Sequence, residues 1–287
     1  MIIYTAISLC ATGITAAVIL YLVARKFRVE EDPRVDAIEA LLPGANCGGC
    51  GQPGCRGLAV AIARANSLEG LACPAGDAAT MPAIAAVLGL EAGTRVPRVA
   101  VVRCNGDHDR RPRSSVYDGY PSCVVEHALY RGEGDCPFGC LGLGDCARAC
   151  AFGAIRVDET TGLPVVDEAA CTGCEACVKA CPRGIIEARA RGIKERRVFV
   201  SCVNRDRGAI ARAACGSACI GCGKCARECP FGAITVERNL AYIDFHKCKL
   251  CRKCVSSCPT GAIHEINFPP RKVELTRVET ENTDTPC

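Results

Sequence analysis

Between Cys219 and Cys258 the chain reads CIGCGKCARECPFGAI, a short connection, then CKLCRKCVSSCPTGAI. Each half is a C-x2-C-x2-C-x3-C-P run: Cys219, Cys222, Cys225 and Cys229 with Pro230, then Cys248, Cys251, Cys254 and Cys258 with Pro259. Thiolates are soft ligands, and three of them two residues apart let one loop wrap a cubane iron–sulfur cluster. The fourth stands a helical turn further on, points away and ligates the neighbouring cluster. The spacing therefore predicts one [4Fe–4S] cluster on Cys219, Cys222, Cys225 and Cys258, and its partner on Cys248, Cys251, Cys254 and Cys229. Proline cannot continue a helix, so a short strand is expected after each run, in FGAITV and TGAIHEI. Zinc is the competing reading. Structural zinc pairs two C-x2-C knuckles per ion, which adjacent four-cysteine runs ending in Cys-Pro fit poorly.

The plan recurs upstream. CPFGCLGLGDCARACAFGAI carries Cys136, Cys140, Cys146 and Cys150, and CTGCEACVKACPRGII carries Cys171, Cys174, Cys177 and Cys181. Between them IRVDETTGLPVVD predicts a hairpin, with strands near Ile155–Val157 and Val165–Asp167 joined around Thr161-Gly162. ITVERNLAYID takes its place in the later block, so two ferredoxin-like modules form an internal repeat. The repeat extends to RVAVVRC (98–104) and RVFVSC (197–202), β-branched runs that predict buried strands. Cys104 then corresponds to Cys202, and Cys136 to Cys215. Such cysteines can be core residues, since free cysteine is often buried, or additional ligands.

The N-terminal third is different. Residues 2–24 carry no charge and are long enough to span a bilayer as one helix. No basic residue precedes them, as a signal peptide would require, whereas Arg25, Lys26 and Arg28 follow. An uncleaved anchor is expected, with the remainder in the cytoplasm by the positive-inside rule. Residues 29–42 predict an amphipathic helix with Val35, Ile38, Leu41 and Leu42 on one side, ended by Pro43. GANCGGCGQPGC follows, and its Cys47, Cys50 and Cys55 join Cys73-Pro74 in a separate set of four thiols. Residues 81–90 predict another helix, and 105–119 a polar loop whose His108 is expected to be solvated. The polar tail after Ile266 lacks periodicity, and its Cys287 is not expected to be a ligand.

Cysteine supplies 26 of 287 residues. In a short secreted chain that would mean disulfides. Clustered spacing in a long chain means metal, and such thiols must stay reduced, which agrees with a cytoplasmic location. The formal charge of +4 is no evidence for nucleic-acid binding. It becomes about −6 once twenty thiolates and five 2+ cores are counted.

The order of GANCGGCGQPGC with its distant Cys-Pro, GCLGLGDCARAC and C-x2-C-x2-C-x3-C-P, behind an apolar N-terminus, resembles the B subunit of the Rnf complex. That complex is the membrane-bound, ion-translocating ferredoxin:NAD+ oxidoreductase. The match covers residues 1 to about 182, and the second module resembles the longer form of the subunit. The resemblance implies an electron relay that accepts electrons from reduced ferredoxin and passes them towards other Rnf subunits, with coupled Na+ or H+ movement. It implies a cluster on Cys47, Cys50, Cys55 and Cys73, a second on Cys136, Cys140, Cys146 and Cys181, and a third on Cys150, Cys171, Cys174 and Cys177. One departure is Ala151, where the motif has proline after Cys150. Another is Leu143, which falls where Cys222 sits in the other module. Leucine cannot be a ligand, and Cys136 is the expected replacement, with Cys215 spare.

Five [4Fe–4S] clusters are thus expected on an α+β fold: a single N-terminal transmembrane helix (1–26), a small helical 4Fe-4S domain (27–92), two tandem ferredoxin-like double-cluster modules (93–190 and 191–266), and a tail (267–287). Expected partners are other Rnf subunits, reduced ferredoxin and membrane lipid, with no nucleic acid. No Rossmann or Walker fingerprint occurs and no histidine stands beside a cysteine, so no nucleotide should bind directly. The alternative is a membrane-tethered polyferredoxin that reduces a regulator or another enzyme without ion pumping.

Overall fold

A computed structural model describes residues 2–26, 32–91 and 96–270, arranged in two compact units, Met1–Gly93 and Thr94–Cys287. In the first unit, α1 (Ile2–Lys26) has no charge before Arg25 and exposes Ile14, Leu20 and Tyr21. Among the described residues, no helix is long and apolar enough to cross a membrane. Several α1 side chains, Ile2 and Ile3 among them, lie outside that description.

The helix α2 (Pro33–Leu41) starts on Asp32, whose carboxylate accepts a bond from the Arg34 amide at 2.9 Å. Residues 29–31 of the expected helix lie outside the described residues. Val35 and Ile38 are buried, and so is Leu42 just past the helix end, whereas Leu41 is exposed. Pro43 ends the helix one residue early and turns Leu42, not Leu41, inward. Gly54–Arg64 (α3) and Thr80–Leu88 (α4) complete a small core of Ile38, Leu58, Ile62 and Ile84.

The second unit repeats one plan twice. The first copy runs β1 (Arg98–Val102), α5 (Cys123–Leu129), α6 (Asp145–Arg148), β2 (Ile155–Val157), β3 (Pro164–Val166), α7 (Ala176–Ala180) and β4 (Ile186–Ala190). The second runs β5 (Arg197–Val200), α8 (Gly208–Ala214), α9 (Lys224–Arg227), β6 (Ile234–Glu237), β7 (Leu240–Ile243), α10 (Lys253–Ser257) and β8 (Ile263–Ile266). In each copy the outer strands pair antiparallel, Val99 opposite Arg189 and Phe199 opposite His264. A central hairpin pairs Ile155 with Val166, and Ile234 with Ile243. The Asp158 carboxylate fixes the first hairpin turn by accepting from the Thr161 amide and hydroxyl, at 3.1 and 2.7 Å. Two-stranded sheets are marginal by themselves. What consolidates each copy is the cysteine-bearing loops packed between its two sheets.

The copies meet through β4 and the second hairpin. Arg189 is almost fully buried, with its guanidinium 5.2 Å from the Tyr242 ring centre and 5.7 Å from that of Phe245. Tyr242 donates to Glu187 at 2.7 Å, and Arg103 pairs with Glu187 at 3.3 Å. A buried cation over aromatic faces is worth more than the same contact in water. The 105–119 loop also joins the copies, because Asn105 accepts from Ser217 at 2.8 Å and Arg110 from the Gly216 amide at 2.7 Å.

Candidate iron–sulfur cluster sites

In the second copy, Cys219, Cys222, Cys225 and Cys258 line one cavity of about 340 Å³. Cys229, Cys248, Cys251 and Cys254 line another of about 320 Å³. Each takes three thiols from one loop and a fourth from beyond the other short helix. Close approach of loop to hairpin makes this possible. Gly221 has φ +66°, and a Cβ there would lie 2.6 Å from the Asn239 carbonyl oxygen. The Ala241 amide then donates to Cys219 Sγ at 3.5 Å.

The first copy repeats the arrangement. Cys150, Cys171, Cys174 and Cys177 line a cavity of about 400 Å³. Gly173 has φ +68°, and a Cβ there would meet the Arg98 carbonyl oxygen at 2.5 Å. The Ala100 amide donates to Cys171 Sγ at 3.5 Å. Ala151 leaves Cys150 in place, so loss of the proline does not withdraw a thiol.

The remaining cavity of the first copy, about 380 Å³, is lined by Cys140, Cys146, Cys181 and Cys123. Cys136 is the fourth member that the spacing predicts, and the structure puts Cys123 there instead. Asp145 explains the exchange. Its Oδ2 accepts from the Ser122 hydroxyl at 2.9 Å and the Val124 amide at 3.0 Å, which holds the start of α5 beside Cys146. Cys136 faces the second copy, where the Asn204 side-chain amide donates to its Sγ at 3.5 Å. The tight turn after it, with the Gly139 amide on the Cys136 carbonyl at 3.1 Å, sends the next cysteine back into the first copy. Cys136 thus joins Cys104, Cys202 and Cys215 around a fifth cavity of about 320 Å³.

In the first unit, Cys55 and Cys73 are buried while Cys47 and Cys50 are half-buried in the glycine-rich loop. Asn46 accepts from the Cys55 amide at 2.7 Å and so folds the loop back on α3. Burial pushes the Cys73 thiol up, opposed by the Ala75 and Gly76 amides and reinforced by Cys47 and Cys55, so these three thiols are electrostatic neighbours.

The chemistry of these donor sets fits a cluster. Four thiols line each cavity, standing around a volume as a cubane requires, whereas a zinc ion draws its ligands to one point. Burial, then neighbouring thiols, pushes Cys225 up to about 11, and Cys177 and Cys254 to about 12. Four thiolates in one pocket repel one another unless a cationic core is present, so loading with metal must release protons.

Comparisons with known proteins agree. A family model for a 4Fe-4S dicluster domain matches residues 135–185 and 218–263. A second dicluster model matches 170–233, and the FeS model, for an Fe–S cluster, matches 42–70. The B subunit of the Na(+)-translocating ferredoxin:NAD(+) oxidoreductase complex of Acetobacterium woodii is 45% identical, over 83% of this chain and 70% of that protein. The B subunit of the proton-translocating complex of Clostridium ljungdahlii is 39% identical, over 82% of each chain. The B subunit of the ion-translocating oxidoreductase complex of Methanosarcina acetivorans is 39% identical, over 84% of this chain and 89% of that protein. With identity of this order along most of its length and two dicluster domains in tandem, the chain belongs to the B-subunit family of ion-translocating ferredoxin:NAD(+) oxidoreductase (Rnf) complexes.

Proposed function

We propose that this chain is the electron-relay subunit of an Rnf-type complex, accepting electrons from reduced ferredoxin and passing them to other subunits on the way to NAD+. The observation that carries the reading is the series of cavities each bordered by four cysteines. When bound, [4Fe–4S] clusters supply one-electron redox chemistry. The chain's own residues do the rest. The cysteines fix each site, and the glycine turns bring backbone N–H groups against the sulfurs. The names of the Acetobacterium and Clostridium relatives specify different ions, so the proposal includes ion coupling but no particular ion.

The proposal extends to an inner-membrane anchor with all cysteine sites in the cytoplasm. It is supported by the uncharged run before Arg25 and by the Arg25 and Lys26 pair that follows it in the sequence. Five clusters are assigned to Cys47/Cys50/Cys55/Cys73, Cys123/Cys140/Cys146/Cys181, Cys150/Cys171/Cys174/Cys177, Cys219/Cys222/Cys225/Cys258 and Cys229/Cys248/Cys251/Cys254. The test is Cys225→Ser in the assembled complex. Ferredoxin-dependent NAD+ reduction should fall at least tenfold, while NADH oxidation by an artificial dye, which enters at the nucleotide site, should stay unchanged. Full ferredoxin-dependent activity in that variant would contradict the relay role.

A further inference from the structure

Five four-thiol sets leave six cysteines: Cys10 in α1, Cys287 in the tail, and Cys104, Cys136, Cys202 and Cys215. The last four line the cavity of about 320 Å³ between the two copies, close in size to that bordered by Cys229, Cys248, Cys251 and Cys254. Cys104 follows β1 and Cys202 follows β5, at matching places in the repeat, and each copy contributes two thiols. Cys136, Cys202 and Cys215 are buried.

A packed core of neutral cysteines needs no polar partners, yet this cavity has several. Asn204, 1% exposed, directs its backbone amide to Cys202 Sγ at 3.4 Å and its side-chain amide to Cys136 Sγ at 3.5 Å. The Ser217 hydroxyl, also buried, lies 3.4 Å from Cys215 Sγ. Gly106 lines the wall, where a Cβ would lie 3.2 Å from Cys215 Sγ. Arg111 lines it too. It is 7% exposed, Nη1 donates to the Cys140 carbonyl, and Nε is buried with no partner. A buried guanidinium with a free N–H calls for an anion. A cubane held by four thiolates is a net anion, and amides and hydroxyls aimed at sulfur are what tune it.

We propose that Cys104, Cys136, Cys202 and Cys215 hold a sixth [4Fe–4S] cluster, shared between the two modules, while Cys123 completes the set of Cys140, Cys146 and Cys181. This rests on the reading that the other cavities hold such clusters. The site joins two double-cluster modules that otherwise meet only through protein side chains and backbone.

The test is the iron and acid-labile sulfide content of the full-length chain, reconstituted anaerobically in detergent, with Mössbauer spectra of the ⁵⁷Fe-labelled wild type. About 24 irons, all as [4Fe–4S], are expected instead of about 20. Cys202→Ser should lose about four irons, and Cys136→Ser with Cys202→Ser together should lose the same four, because both serve one cluster. Cys123→Ser with Cys202→Ser should lose about eight. About 20 irons in the wild type, with none lost in Cys202→Ser, would overturn the sixth site and leave the five-cluster reading standing. Loss in Cys136→Ser but not in Cys202→Ser would return Cys136 to the set of Cys140, Cys146 and Cys181. Fewer than about eight irons in the wild type would overturn both readings. The wild-type count and spectra decide the matter even if a variant fails to fold.

Discussion

At the scale of single residues, the glycines under the hairpins and the ionisation of the thiols make separable predictions. Gly221 combines a positive φ with a Cβ position 2.6 Å from the Asn239 carbonyl oxygen, so no rotamer relieves an alanine there. Gly221→Ala should cost about 1–3 kcal/mol, read as a lower Tm of the loaded protein, with iron lost first from the second copy. A variant of unchanged Tm and iron content would mean that loop and hairpin are not in contact. The thiols give a pH dependence. In the metal-free fold Cys225 is pushed to about 11 and Cys254 to about 12, from an ordinary 9.0. Above pH 9 the unfolded chain releases protons that the fold retains. Their stabilisation is therefore full below 9 and is lost as pH rises towards 12. Urea midpoints of metal-free protein should fall across that range. Metal loading has the opposite sign, because it releases protons and is favoured by rising pH.

At the scale of elements, the repeat is legible because its signal is spacing. Cysteine runs and turns flanked by β-branched residues, with a proline stop at Pro230 in the second copy, place α6 to β3 and α9 to β7 without further information. The pairing of β1 with β4 and of β5 with β8 is not legible, since the partners stand far apart in sequence and local pattern carries no register. Nor is α5. Its seven residues are too short for a periodic pattern, and it is held by Asp145, more than twenty residues away. Spacing therefore points to Cys136, nearer in sequence to the Leu143 gap, and not to Cys123. The signal that exists is arithmetic: 24 of the 26 cysteines divide into six sets of four. It cannot say which of Cys123 and Cys136 fills the gap. Because each sheet has only two strands, the cysteine sites must supply part of the folding free energy. Iron chelation under reducing conditions should lower the urea midpoint at neutral pH and make 96–270 more sensitive to protease. An unchanged midpoint after complete removal of iron would refute that dependence.

At the scale of the molecule, two further claims can be measured. The copies behave as one unit because Arg189 is sealed against Tyr242 and Phe245. Arg189→Leu should cost about 2 kcal/mol and turn one unfolding transition into two. A single transition at the parental Tm would show the contact to be dispensable. The anchor proposal predicts that a phosphatase fused after Cys287 is inactive in the periplasm, and that removal of residues 1–26 yields a soluble brown protein. An active fusion would invert the topology.

The central claim is that the chain takes its electrons from ferredoxin and carries no nucleotide site. The most direct measurement is anaerobic stopped-flow absorbance of the full-length, iron-loaded chain mixed separately with reduced ferredoxin and with NADH. Reduced ferredoxin should bleach the visible band rapidly, and NADH alone should leave it unchanged. Rapid bleaching by NADH with none by ferredoxin would contradict the account.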